Sequence, residues 1–144
     1  MTSSRISNKN LPLNTRRLRV KIAELISKAG ASHIGSCFSI IEMLDAVYQS
    51  VDREKIKQSA KDRDRIIISK GHSAAAVYAT LTQYGLMEKD LLESYGTNGS
   101  LLSGHVNHFV RFIEHSTGAL GHGLPVSVGI CIGMRSRKME TSRC

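Results

Sequence analysis

Tryptophan is absent from this sequence, and aromatic residues make up only 5% of its 144 residues. Proteins that bind single-stranded nucleic acid stack bases on aromatic side chains, so this scarcity argues against that class. No apolar run approaches the roughly 20 residues that a membrane-spanning helix needs, and we expect no membrane insertion.

The three cysteines form no CxxC pair, and residues 1–10 lack the apolar stretch of a secretory signal. Together these features predict a cytoplasmic protein.

Acidic residues are the minority charge, because 20 Lys and Arg face 12 Asp and Glu, which gives a net charge of +8. Such an excess can indicate nucleic-acid binding. Here, however, the basic groups at residues 16–21 and 135–143 stand near opposite ends, and those at 53–65 are interleaved with acidic residues. We therefore expect no nucleic-acid partner, and interpret the basic surface as one that steers anionic substrates such as sugar phosphates.

Apolar periodicity predicts five helices. The first begins near Asn14 or Thr15, either of which can cap it, and ends at Gly30, a residue suited to the left-handed conformation after a helix. Its apolar face contains Leu18, Ile22, Leu25, Ile26 and Ala29. The other four helices are predicted at about residues 39–49, 73–84, 88–95 and 124–134. Residues 31–36 and the charged residues 52–64 are predicted as connections.

The clearest strand signal is the β-branched run at residues 65–69 (RIIIS), which has the continuous apolar character of a buried parallel strand. With the helices, this order predicts an α/β fold. One strand cannot make a sheet, so we expect an incomplete parallel sheet with flanking helices. We divide the chain into a flexible N-terminus at residues 1–10 and one domain at residues 11–144.

Four short segments join a histidine to glycine. They are ASHIG at residues 31–35, SKGH at 69–72, SGH at 103–105 and TGALGHG at 117–123. Glycine lets a ligand approach the backbone, and histidine moves protons near neutral pH. His72 follows the predicted strand and opens a helix, which is where α/β proteins bind ligands and where free amides favour an anion such as a diphosphate. The loop at 117–123 precedes the last helix in the same way.

In this order and spacing, the four segments resemble the N-terminal half of the transketolases. Residues 31–35 are similar to that family's SGHPG loop, and residues 64–72 to its DRFVLSxGH signature. Residues 104–106 are similar to its GHP element, and residues 117–123 to its TGPLGQG loop. The resemblance extends from about residue 11 to residue 134.

This resemblance implies part of a thiamine-diphosphate-binding fold that works with Mg²⁺ and moves a two-carbon ketol unit between sugar phosphates. Cofactor contacts are implied for His72, Gly118, Ala119 and Leu120. His33 and His105 are implied as catalytic residues that assist proton transfers and hold sugar hydroxyls. The bound cofactor carries out the bond-making chemistry, and the protein supplies orientation and electrostatics.

The sequence departs from the family pattern in several places. Ile34, Val106 and Ala119 replace prolines, and His122 replaces a glutamine, changes that are typical of split-subunit or specialised relatives. The family's metal-binding GDG motif does not occur, and its pyrimidine-activating glutamate belongs to the other half or subunit. We therefore expect that this chain alone binds the cofactor poorly and does not turn over. The implied partner is a C-terminal transketolase half or subunit, in a homodimer or heterotetramer.

Three alternatives remain open. The chain could be a non-catalytic α/β interaction module whose histidines have ordinary roles. It could be a metal-binding module that uses His105, His108, His115 and His122, although no cysteine or carboxylate completes an obvious tetrahedral set. Within the family, it could be a degenerate subunit that folds and pairs but does not catalyse.

Overall fold

The computed structural model describes residues 11–137 and Met139, which form seven α-helices and one 3₁₀ turn. The helices are α1 (Leu11–Ala29), α2 (Ile34–Phe38), α3 (Ile41–Ser50), α4 (Arg53–Lys57), α5 (Ala74–Gln83), α6 (Lys89–Glu93) and α7 (Gly123–Ser136), and the 3₁₀ turn is Gly71–Ser73. The predicted flexible segment at residues 1–10 lies outside the described residues. No helix within the described part is long and apolar enough to cross a membrane.

Helix α5 is the centre of the core, because every residue from Ala74 to Leu81 is buried. Its run of small residues lets α1, α3 and α6 pack closely around it. Helix α1 contributes the predicted apolar face, of which Leu18, Ile22, Leu25 and Ile26 are buried. Gly30 ends α1 with a φ of +57°, and Gly85 follows α5 with a φ of +67°, so the predicted glycine termini are confirmed.

The prediction of an α/β fold with a parallel sheet is wrong for this structure, since none of the described residues forms a β-strand. Residues 63–68 are neither helical nor paired with a neighbouring strand. A strand is defined by hydrogen bonds to a neighbouring strand, and no second extended segment within residues 11–137 supplies them. Instead, Ile66 and Ile68 are half-buried against the helical core, and the Ile68 carbonyl accepts a hydrogen bond from the Thr117 hydroxyl.

Several predicted helix boundaries are also corrected. Helix α1 already includes Leu11, so neither Asn14 nor Thr15 caps it. The segment predicted as a loop at residues 31–36 contains the start of α2, and α3 follows as a separate helix. The charged connection contains α4, whose N-cap Asp52 accepts hydrogen bonds from the amides of Glu54 and Lys55. Helix α7 extends slightly beyond the predicted 124–134.

Candidate functional site

Three imidazoles from distant parts of the sequence lie together. The ring centroids of His33 and His72 are 5.2 Å apart, those of His33 and His105 are 5.9 Å apart, and those of His72 and His105 are 6.5 Å apart. His33 and His105 are exposed, and His72 is half-buried. The structure thus assembles the three histidines that the sequence analysis selected, although their chemical roles stay predictions.

His72 is held by the start of α5. It occupies the middle of the 3₁₀ turn Gly71–Ser73, and both of its neighbours in that turn are buried. The Ser73 hydroxyl donates to the Ser36 carbonyl at 3.2 Å. Because the turn continues directly into α5, which is buried from Ala74 to Leu81, the backbone that carries this imidazole adjoins the core.

His33 is presented by an unusual backbone conformation. It precedes α2 with a φ of 72°, in the left-handed region that is uncommon for residues other than glycine, although asparagine, aspartate and histidine are enriched there. Its Nδ1 lies 3.2 Å from the Ser32 hydroxyl. A non-glycine residue held in this region indicates a constraint from the surrounding structure.

His105 is fixed through its backbone. Its carbonyl accepts hydrogen bonds from the Tyr78 hydroxyl at 3.1 Å and from the Ser103 hydroxyl at 2.8 Å. The next residue, Val106, is buried and its amide donates to the Gly71 carbonyl at 3.0 Å. The histidine at 105 is therefore tied to the turn that carries His72.

The glycine-rich loop at residues 117–123 begins directly against that turn. Thr117 donates from its hydroxyl to the Ile68 carbonyl at 2.5 Å and from its amide to the Val106 carbonyl at 3.4 Å. A Cβ atom on Gly71 would lie only 2.2 Å from the Thr117 carbonyl oxygen. Only glycine at position 71 permits this approach.

The far end of the loop is anchored in the same region. The Gly123 amide donates to the Ser69 hydroxyl at 3.1 Å, and a Cβ atom on Gly123 would lie 2.6 Å from that of Ser69. Both ends of the loop are thus pinned to residues 68–71. The loop must leave and return beside the turn of His72.

Between these anchors, Gly118, Ala119 and Leu120 are exposed. Their backbone amides donate no hydrogen bond to any described residue. Backbone amides that lack a protein acceptor in an exposed loop can donate to an anion. The loop with these amides and the turn with His72 are therefore both attached to residues 68–71.

The electrostatics of the cluster favour an anion as well. Partial burial, followed by electrostatic repulsion from His33, Lys70 and His105, lowers the pKa of His72 from its ordinary 6.5. A negative ligand beside the ring would oppose these effects and raise the pKa again.

Four further residues shape this site and were not predicted from the sequence: Ser36, Lys70, Ser73 and Thr117. Lys70 and Thr117 lie inside the selected segments, but their contacts join residues far apart in sequence. The glycine–histidine motifs were the only signal in the sequence for these residues. They indicated the segments that form the site, but not which side chains contact one another.

A cavity of about 690 Å³ lies elsewhere, between residues 59–65 and the end of α7. None of the three clustered histidines lines it. Its guanidinium groups at Arg63 and Arg65 are already paired with Glu114, at 2.9 and 3.4 Å. The histidine cluster, by contrast, is an open surface site.

No group of three or more His, Cys, Asp or Glu side chains in the described part of the chain is arranged to hold a metal ion. The described residues therefore give no support to the metal-binding alternative.

The described helical domain thus brings three imidazoles together beside a glycine-rich loop whose amides have no described partner. Residues 12–143 match the family described as "Transketolase, thiamine diphosphate binding domain". The chain belongs to this family.

Proteins similar to this chain are also named as transketolases or transketolase subunits. The chain is 38% identical to an apulose-4-phosphate transketolase subunit of Phocaeicola vulgatus, over 90% of this chain and 47% of that protein. It is 32% identical to 6-deoxy-6-sulfo-D-fructose transketolase subunit SqwG of a Clostridium species, over 82% and 44%. It is also 32% identical to transketolase of Mycobacterium leprae, over 82% and 17%. The chain thus spans about half the length of the curated subunits that it matches.

Proposed function

We propose that this chain holds the diphosphate of thiamine diphosphate as the N-terminal segment of a transketolase-type transferase. The observation that carries the proposal is the contact between Gly71 and Thr117, which holds the turn of His72 against the start of the glycine loop. An imidazole and a row of free amides on adjoining backbone are suitable partners for two phosphate groups.

The residues fit the diphosphate end of the cofactor. His72 would donate a hydrogen bond to a phosphate oxygen, and the amides of Gly118, Ala119 and Leu120 would donate to others. Because the free imidazole has a lowered pKa, anion binding near neutral pH would be accompanied by proton uptake at His72. The ring would then form a charge-assisted hydrogen bond.

His33 and His105 would act on the sugar. Their rings are exposed beside His72, where they can hold hydroxyl groups and exchange protons with them. When bound, thiamine diphosphate supplies the nucleophilic carbon for transfer of a two-carbon ketol unit between sugar phosphates. The net charge of +8 favours such anionic substrates.

Mg²⁺ belongs to the proposal as the ion that accompanies the diphosphate. The sequence contains no GDG motif, so we assign the ligands of this ion to residues that do not belong to this chain. Two phosphates without that cation keep their full charge, and we expect weak binding by this chain alone.

A partner carrying the other half of the site is also proposed, in a homodimer or heterotetramer. Relatives whose names describe them as transketolase subunits support this. So does α7, where Leu124, Val128 and Ile132 form an apolar stripe with exposed fractions of 69%, 51% and 64%. We place the assembly in the cytoplasm, in keeping with the free thiols of Cys37 and Cys131.

Calorimetry with thiamine diphosphate and Mg²⁺ tests the proposal. Weak binding is expected, and His72→Ala should weaken it roughly 10–100-fold, the range for a lost hydrogen bond to a charged group. His115→Ala is the matched control, because it removes an imidazole outside the cluster. Thiamine without phosphates should give no signal. Binding that is unaffected by His72→Ala would remove this residue from the role assigned here.

A further inference from the structure

Helix α2 cannot hold its own conformation. It has only five residues, and its N-cap His33 offers no side-chain hydrogen bond. Isolated helices of this length are unstable in water, because too few hydrogen bonds offset the cost of the first turn. The position of His33, and the left-handed backbone it adopts, must therefore be maintained by contacts from outside the helix.

Burial of Cys37 in the core supplies one such contact, and several hydrogen bonds from outside the helix converge on one of its carbonyls. The oxygen of Ser36 accepts hydrogen bonds from Lys70 Nζ at 3.0 Å, from the Ser73 hydroxyl at 3.2 Å and from the Ser39 hydroxyl at 3.0 Å. Lys70 Nζ also donates to the Ser39 hydroxyl at 2.5 Å. Carbonyls in the last turn of a helix lack helical partners, so side chains from elsewhere can fasten the helix there.

Two of these donors flank His72 in the sequence. Lys70 and Ser73 belong to the segment that presents this imidazole, and they bind the helix that begins beside His33. This segment therefore presents the His72 imidazole and also binds α2, the helix that begins next to His33. A lysine contributes a full positive charge to the contact, which makes its hydrogen bonds stronger than those of a hydroxyl.

We propose that Lys70 is a positioning residue, which holds the His33 imidazole against His72 by fastening α2 through the Ser36 carbonyl. His105 is positioned independently, because the bond from the Val106 amide to the Gly71 carbonyl does not involve Lys70. The functional meaning of this inference rests on the proposed function. The geometry itself can be tested without cofactor.

The test is NMR on histidine-labelled protein, which detects cross-relaxation between imidazole ring protons. We expect contacts of His72 with both His33 and His105 in the unmodified chain. Lys70→Met should abolish the contact with His33 and leave the contact with His105. Lys70→Arg, which keeps a charged donor, should restore the His33 contact. Lys61→Met removes an exposed lysine that is not among the groups acting on His72, and should change neither contact.

Urea unfolding of the same variants separates positioning from general folding. The unfolding midpoint of Lys70→Met should stay near that of Lys61→Met. A retained His33 contact in Lys70→Met would overturn the inference. So would loss of both contacts together with a large fall in the midpoint, since Lys70 would then support the whole domain.

Failure of this inference can be told apart from failure of the proposed function. The ring contacts are measured without any ligand. If they respond as expected but thiamine diphosphate does not bind, only the proposed function fails. If the cofactor binds but the His33–His72 contact is unchanged in Lys70→Met, only the positioning role fails.

Discussion

Gly71→Ala should break the junction between the histidine turn and the glycine loop. The new Cβ atom would lie 2.2 Å from the Thr117 carbonyl oxygen and 2.7 Å from both the Thr117 carbonyl carbon and hydroxyl oxygen. Side-chain carbons essentially never approach below 3.0 Å, so something must move. Two of these three atoms are backbone, which cannot rotate away as the end of a flexible side chain would.

The cost follows from the packing. Overpacking a well-filled interior costs about 1–3 kcal/mol, and rigid neighbours place this site near the upper end. Separating the loops would also lose the hydrogen bond from the Thr117 hydroxyl to the Ile68 carbonyl, worth about 1 kcal/mol. We expect a loss of about 3 kcal/mol in the free energy of unfolding. With a urea m-value of about 2 kcal/mol/M, the midpoint falls by about 1.5 M.

Gly129→Ala is the matched control. Gly129 lies inside α7, and a Cβ atom there meets nothing within 4 Å. Alanine in a helix interior is better than glycine by about 0.5–1 kcal/mol, so this variant should be slightly more stable. Urea denaturation followed by circular dichroism measures both. An unchanged midpoint for Gly71→Ala would refute the reasoning, because the turn and the loop would then not be in contact.

Three further outcomes are expected. Tyr84→Phe removes the hydroxyl that donates to the buried Asp45 carboxylate at 2.5 Å, and should lower the free energy of unfolding by about 1–3 kcal/mol in urea denaturation. Thr117→Val should cost about 1 kcal/mol in the same assay, and Thr117→Ser, which keeps the hydroxyl, should cost less. Because folding lowers the pKa of His72 from 6.5, the unfolded chain takes up that proton first as the pH falls. The stability linked to His72 is therefore complete above about pH 6.5 and is lost below it, and His72→Ala should flatten this part of a stability–pH profile.

The helical core was predictable from the sequence because its signals are local. The apolar face of α1 and the glycines at positions 30 and 85 each act within a few residues. Glycine neighbours marked four histidine segments, and the resemblance to the transketolases selected His33, His72 and His105 from them. Their convergence depends on tertiary contacts, such as the bond from the Val106 amide to the Gly71 carbonyl, which no local pattern specifies.

The failed predictions have a common cause. Residues 65–69 have high β-propensity, but β-structure also requires a neighbouring strand, which the described residues do not contain. Helix α2 was missed because Gly35 disfavours helix, and the contacts from Lys70 and Ser73 that fasten it come from more than 30 residues away. In both cases long-range partners, absent or present, outweighed local preference.

The central claim is that His72 and the amides of Gly118, Ala119 and Leu120 bind the same polyanion. A titration with thiamine diphosphate and Mg²⁺, followed by NMR signals of these four residues, tests it most directly. The account predicts that the imidazole and the three amides shift together with one midpoint, even when that midpoint is high. Amides that shift while the imidazole does not, or signals that all stay unchanged, would contradict it.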